Sequence, residues 1–349
     1  MRRNVMSAAM AVIAIEVLVA GQGRDANQVL AETRAALGGG KIAAVKTITA
    51  LGRTLRTGPG GNTTESEFEM AMELPDKYLM RSVMVAMGNM SVYRNTGFNG
   101  GQVIEEIDRP PNLQGGNIVI RIALPGGTAM DPAKMTPEQK AEADGMKLVG
   151  NKREFARLTL GMFASSPAVF PLEFTYAGQA ESADGKADVI NAKGEGDFRV
   201  ALFVDAQTHM PLMVSWMDKE PLVIQTTGGP GGPGGGTRVV QQFGGGGGGA
   251  GGGTFTSAAP AGQQGGAPNM SKEDLEKQLK DLEERRKEAE AKRRMVEFRV
   301  YYSEYKSVGG VKLPFRIMRS IDGKTTEEMV FDTIKLNPKI DAKKFEASK

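Results

Sequence analysis

The chain has no cysteine, which removes disulfides, thiolate nucleophiles and Cys-ligated zinc or iron–sulfur centres. Histidine is nearly absent too. The one that exists, His209, stands in DAQTHMP, a turn between two strand-like segments. A Ser-His-Asp triad or a metal site with one His stays formally open, but a lone turn histidine is the ordinary bystander. An excess of charge of either sign is also missing: 44 Lys and Arg against 41 Asp and Glu leave +3, with the two signs well mixed. Phosphate binding needs clustered positive charge, so no nucleic-acid partner is expected. Glycine is plentiful, yet GGPGGPGGGT lacks the Lys-Ser/Thr that lets a phosphate loop reach its ligand. Acidic residues such as Glu105, Glu106 and Asp108 lie at strand ends beside an RPP turn, and no spacing identifies a catalytic pair. The expectation is a protein that is not an enzyme and holds no metal or cofactor.

What is present begins with an export signal. Arg2 and Arg3 precede the apolar run VMSAAMAVIAIEVLVAG, and small residues follow at Gly21 and Gly23. Residues 1–23 therefore read as a secretory signal peptide cut after Gly21, which makes the mature protein periplasmic. An uncleaved inner-membrane anchor is the alternative. Glu16 inside the run argues against it, because a carboxylate is costly in lipid.

Past the signal, ANQVLAETRAAL places Val29, Leu30, Thr33 and Leu37 on one helical stripe and stops at three glycines. The period then changes to two. In EFEMAMEL, Phe68, Met70, Met72 and Leu74 share one face and Glu67, Glu69, Ala71 and Glu73 the other. A helical interlude follows, opened by the capping pattern Thr136-Pro137-Glu138-Gln139. It reads as two amphipathic helices, the second with Phe155, Leu158, Thr159 and Met162 on its stripe. Four segments of about ten residues then resume the alternation, including DFRVALFVD (Phe198, Val200, Leu202, Val204) and PLMVSW (Leu212, Val214, Trp216).

Glycine dominates residues 228–253, too densely to bury enough surface against its ordering entropy. Residues 228–270 therefore read as a flexible Gly-rich linker, and residues 271–296 as a charged helix with a narrow stripe at Leu275, Leu279 and Leu282. Three further alternating strands, turned at GG and DG, run to the C-terminus: Val296, Phe298, Val300 and Tyr302 share a face, as do Val311, Leu313, Phe315 and Ile317. Three strands alone make a poor domain. The reading is one discontinuous β domain, residues 24–227 and 292–349, interrupted by an insertion.

The segments ALGGGKIAAVKTITALGR, FPLEFTYAG, ALFVDAQTHMPLMVSW and YKSVGGVKLPFRIMRSIDGKTTEEMVFDTIKLNPKIDAKKF together resemble the LolA-like superfamily of periplasmic lipoprotein and lipid carriers. The resemblance implies a mainly β, α+β fold: a curved, half-open antiparallel barrel covered by helices, whose concave side holds acyl chains. It implies a periplasmic lipid or lipoprotein acyl-chain carrier. A structural or protein-interaction module of the envelope, with partners on the 271–296 helix, is the alternative. The expected cavity residues are Leu202, Val214, Trp216, Val300 and Leu313, each on the apolar phase of its strand, and an inner face rich in methionine suits irregular apolar ligands.

Overall fold

The computed structural model describes residues 16–18, 24–58, 61–87, 90–108, 122–123, 129–130, 135–183, 185–226, 238–242, 280, 284 and 287–346. Of the expected signal peptide, only Glu16–Leu18 falls within them. These residues form a short strand, β1. The first helix, α1 (Ala26–Leu37), matches its stripe: Val29, Leu30, Thr33 and Leu37 are all buried. Asp25 caps it by accepting from the Asn27 N–H. Gly38 ends it at φ +147°, where an added Cβ would sit 2.9 Å from the Gly310 carbonyl oxygen, so only glycine lets the chain pass there. A single turn of helix, α2 (Gly40–Ala43), leads into the sheet.

Of the remaining elements, alternating apolar residues build the strands and an apolar helical stripe builds the helix. They are β2 (Thr47–Thr57), β3 (Thr63–Glu73), β4 (Lys77–Met87), β5 (Met90–Asn99), β6 (Gln102–Asp108), β7 (Ile122–Ala123), β8 (Ala129–Met130), α3 (Pro137–Phe163), β9 (Glu173–Ser182), β10 (Gly185–Lys193), β11 (Arg199–Asp205), β12 (Pro211–Lys219), β13 (Leu222–Thr226), β14 (Arg238–Gln242), β15 (Met295–Val308), β16 (Val311–Ile321) and β17 (Lys324–Leu336). Thirteen strands form one antiparallel sheet in the order β1-β9-β10-β11-β12-β15-β16-β17-β2-β3-β4-β5-β6, while β7-β8 and β13-β14 are separate hairpins. Among the described residues the end strands β1 and β6 do not pair with each other, so the sheet is open. Its closure into one layer depends on β17 pairing with β2, which joins the two ends of the chain.

The sheet is strongly curved, and α3 shows by how much. From α3, Asn151 donates to the Gly97 carbonyl on β5 (2.8 Å) and Phe155 packs on Phe98 of the same strand, while Arg157 stacks on Trp216 of β12. Strands β5 and β12 are seven steps apart, about 34 Å in a flat sheet at ~4.8 Å per strand. Asn151 and Arg157 lie only about 9 Å apart along a helix axis. Both strands can reach them only if the sheet wraps around the helix. This is the curved, half-open antiparallel architecture covered by helices that the sequence led us to expect.

Three expectations need correction. The interlude is one helix of 27 residues, not two. Its capping box forms as expected, but Gly145 and Gly150 do not break it, because its second half is held by tertiary packing that outweighs their propensity cost. Within the expected 228–270 linker, Arg238–Gln242 is a strand paired with β13. The run RVVQQ is free of glycine and carries two β-branched residues, which suits a strand. The charged helix does not reach residue 296: the helical residues end at 291 and Met295 already opens β15. Among the described positions of 271–296 before that point, residues 280, 284 and 287–291 are helical, and the rest of the expected linker and helix lies outside the described residues. One smaller difference concerns Leu212, which is 40% exposed although Val214 and Trp216 are buried. A bulge at Phe203/Val204 shifts the register there, pairing Val204 with Pro211.

The interrupted meander continues directly across the insertion. Lys219 pairs with Met295, the Glu220 N–H donates to the Arg294 carbonyl (2.8 Å), and the Arg293 guanidinium donates to the carbonyls of Glu220 and Lys219. Replacing residues 222–291 with an Asn-Gly turn is therefore expected to leave cooperative unfolding intact at an unchanged or higher midpoint, because closing a shorter loop costs less entropy. Denaturant unfolding followed by circular dichroism checks this. Loss of the folded state would place the deleted segment in the core.

Candidate functional site

The concave face and the helix seated on it form the candidate site. Strand register makes one row across it: Leu202 is the partner of Val214, Val214 of Val300, Val300 of Arg319, and Arg319 of Glu327. Directly paired residues share a face of the sheet. Apolar character therefore gives way to charge in one strand step, between β15 and β16. Trp216 lies beside this row, its ring stacked on its partner Phe298 at 5.4 Å between centroids and 12° between planes.

Of the five residues expected in a cavity, all are buried in the main core. Leu202, Val214, Trp216 and Val300 come together in and beside the row. Leu313 does not: it sits six residues back along β16 from Arg319, about 20 Å at ~3.3 Å per residue.

The helix brings residues that the strand pattern does not contain. The Arg319 guanidinium donates to Glu154 of α3, and its Nε lies 3.2 Å from Glu327 Oε1. Glu154 in turn lies 3.7 Å from Arg157. The Arg157 guanidinium packs on the Trp216 ring at 4.0 Å and on Phe198 at 5.0 Å, a cation–π sandwich deep in the fold where only 3% of the residue is exposed. Tyr302 of β15 crosses α3 at Gly161, where a Cβ would fall within the ring, and its hydroxyl donates to the Arg157 carbonyl at 3.0 Å. The Trp216 Nε1–H is buried with no acceptor among the described residues.

Burial dominates the electrostatics. It pulls Arg157 down to about 10, against the opposing pull of Glu154. For Arg319 burial also lowers the value, but Glu154 and Glu327 outweigh it and the net shift is upward. Burial raises the Tyr302 and Tyr78 phenols well above their usual range. The three upward shifts keep Arg319 charged and both phenols protonated, as ion pairing and hydrogen bonding require.

Beneath α3 a small cavity remains, bounded by Met80, Leu158, Val300, Ile317 and Met329 and by the charged groups Glu154, Arg157 and Arg319. Its free volume is about 10 Å³, the room of roughly one water. Among the described residues the helix occupies the concavity, and the cavity left beneath it is far too small for an acyl chain. Of the sequence-expected residues, Val300 alone borders this cavity.

One missed residue carried a readable signal: in FRIMR, Arg319 continues the apolar phase of Phe315 and Ile317, and a charge on a buried phase marks either a partner or a site. Glu154 and Arg157 flank the stripe of α3 and gave no comparable hint.

A second polar cluster lies at the rim. Asp188, fully buried, accepts from Arg24, from Tyr176 (2.9 Å) and from Gln179 (3.0 Å), and Arg24 also meets Glu32 of α1. His209 falls here, in the β11–β12 turn, with Nδ1 3.6 Å from Glu32. The cluster ties the start of α1 to the sheet. Among the described residues no group of three or more His, Asp or Glu could hold a metal ion, and no helix is long and apolar enough to cross a membrane.

No family model matches the chain, and no curated protein matches it. Among solved structures it is similar to a LolA superfamily protein from Nitrosomonas europaea, with 8% identity, TM-score 0.42, and coverage of 93% of this chain and 98% of that one. It is similar to a DUF1329 family protein from Desulfovibrio piger at 7% identity and TM-score 0.44, covering 93% and 98%. A domain described as outer membrane lipoprotein-sorting, from Vibrio parahaemolyticus, aligns at 5% identity and TM-score 0.39, covering 91% and 94%.

Proposed function

We propose that this protein is a non-enzymatic carrier of a hydrophobic ligand, a lipid or the acyl chain of a lipoprotein, working in the periplasm after export by residues 1–23. The observation that carries the reading is the seat of α3. An apolar concave face runs under the helix, yet the helix is joined to it at the centre by the Glu154–Arg319 ion pair and the Tyr302 hydroxyl. A helix meant only as core would gain as much from hydrophobic residues, because burying charges costs about what their pairing returns. A helix that leaves the sheet and comes back gains from contacts that water satisfies when it is away. On this reading an acyl chain takes the place of α3 along Leu202, Val214 and Val300.

Trp216 is the single tryptophan and therefore a local reporter. Its emission is expected to shift saturably when delipidated protein is titrated with a fatty acid or phospholipid, and protein purified gently from its native envelope is expected to retain lipid. Well-folded protein that does neither would overturn the carrier reading. The account would then pass to an envelope interaction module, for which the outer side of α3 offers Met146 and Val149 as exposed apolar contacts.

A further inference from the structure

We infer that the ligand is an amphiphile with an anionic headgroup, and that Arg319 is the residue on the sheet that receives it. The inference rests on the carrier reading and adds the chemical class of the cargo. Glu154 supplies the argument. Its side chain is a carboxylate on a short aliphatic stem, placed in the cavity bounded by Val300, Ile317 and Met329, with its head on the Arg319 guanidinium. Chemically, α3 presents to the sheet the head of a very short fatty acid. The row Leu202–Val214–Val300–Arg319 has the matching polarity: three aliphatic positions suited to a chain, then a guanidinium suited to its head.

Arg319 belongs to the sheet and stays when α3 moves, whereas Glu154 and Arg157 leave with the helix. About a fifth of the Arg319 side chain (18%) already reaches solvent, so an incoming headgroup can meet it before the helix has fully left. Glu327 remains beside it as an ion-pair partner, its Oε1 3.2 Å from Nε. The face that donates to Glu154 is then open to the ligand. Glu154 and the cargo compete for one donor set, which couples loading to release of the helix. A neutral amphiphile can replace Glu154 only through a weaker, uncharged hydrogen bond, and a cationic one is repelled.

The test uses the full exported chain, delipidated, with Trp216 emission as readout and four ligands that share one hydrocarbon tail: oleate, oleyl phosphate, oleyl alcohol and oleylamine. At least one of the two anions is expected to bind about tenfold or more tighter than the alcohol, the scale of a charge-assisted hydrogen bond. Which anion binds better identifies carboxylate or phosphate as the head. Arg319→Gln is expected to bring the anions to the level of the alcohol, Arg319→Lys to restore part of the preference, and Glu154→Gln to tighten anion binding by removing the internal competitor. The four-ligand comparison in the wild-type protein decides the matter even where a variant fails to fold. Equal affinity for all four, or a preference for the amine or the alcohol, overturns the anionic class and leaves the carrier reading standing. Binding of none of the four by folded protein overturns both.

Discussion

Phe155→Ala is expected to destabilise the protein by about 3–5 kcal/mol, the range for removing a fully buried phenylalanine. Phe155 is 0% exposed, and its ring meets Tyr78 at 5.6 Å and Phe98 edge-on at 5.4 Å. These three rings and the Asn151 bond to Gly97 pin the middle of α3 to β4 and β5. Truncation leaves a void that α3 cannot close alone, because Tyr302 holds its next turn on the far side of the sheet. Urea unfolding with a two-state fit measures the loss, and hydrogen exchange of the α3 amides shows where it falls. If the helix is a displaceable cover, the exchange increase is largest in α3 and ligand affinity rises. A cost below about 1 kcal/mol would mean that α3 is not part of the cooperative unit at all.

The alternation and its turns made most of this fold legible in the sequence. Helix α1 spans the same residues that the stripe of Val29, Leu30, Thr33 and Leu37 indicated, and Phe298, Val300 and Tyr302 share the buried face that their spacing required. Curvature was not legible in any one segment, because it is a property of the sheet as a whole and appears only when Asn151 and Arg157 are seen to touch strands seven steps apart. For the same reason a buried phase could be assigned, while the distinction between a filled core and an open cavity could not. Leu202 and Val214 look alike in both cases. Filling depends on α3, which was expected as two helices and is one, because packing outweighs the propensity cost of Gly145 and Gly150. The Arg319 signal lay in the text, but its partner Glu154 is 165 positions away in the chain, and no local pattern joins them.

That pair also gives the second large effect. Glu154→Leu alone is expected to cost about 3–5 kcal/mol, the range for breaking a buried ion pair from one side. The lower end is expected, since Glu327 still lies 3.2 Å from the Arg319 Nε and carries part of the charge. Arg319→Met alone leaves Glu154 with Arg157 at 3.7 Å, a poorer arrangement, because burial already weakens the charged form of Arg157. The double variant Glu154→Leu/Arg319→Met removes both charges and puts apolar volume beside Val300, Ile317 and Met329. It is expected to recover most of the loss and to approach or exceed wild-type stability, as buried ion pairs replaced by hydrophobic residues commonly do. Glu327 then loses Arg319 but keeps the Arg56 guanidinium, whose Nε donates to its Oε2 at 2.6 Å. The coupling energy from the four unfolding curves is therefore expected to be large, approaching the sum of the two single losses. A double variant that is stable but has lost headgroup discrimination would separate the two roles of the pair: dispensable for holding the sheet together, required for what the concave face selects. A double variant as unstable as the sum of its parts would instead show no coupling, so that Glu154 and Arg319 each contribute to the α3 seat through other contacts and not as a pair.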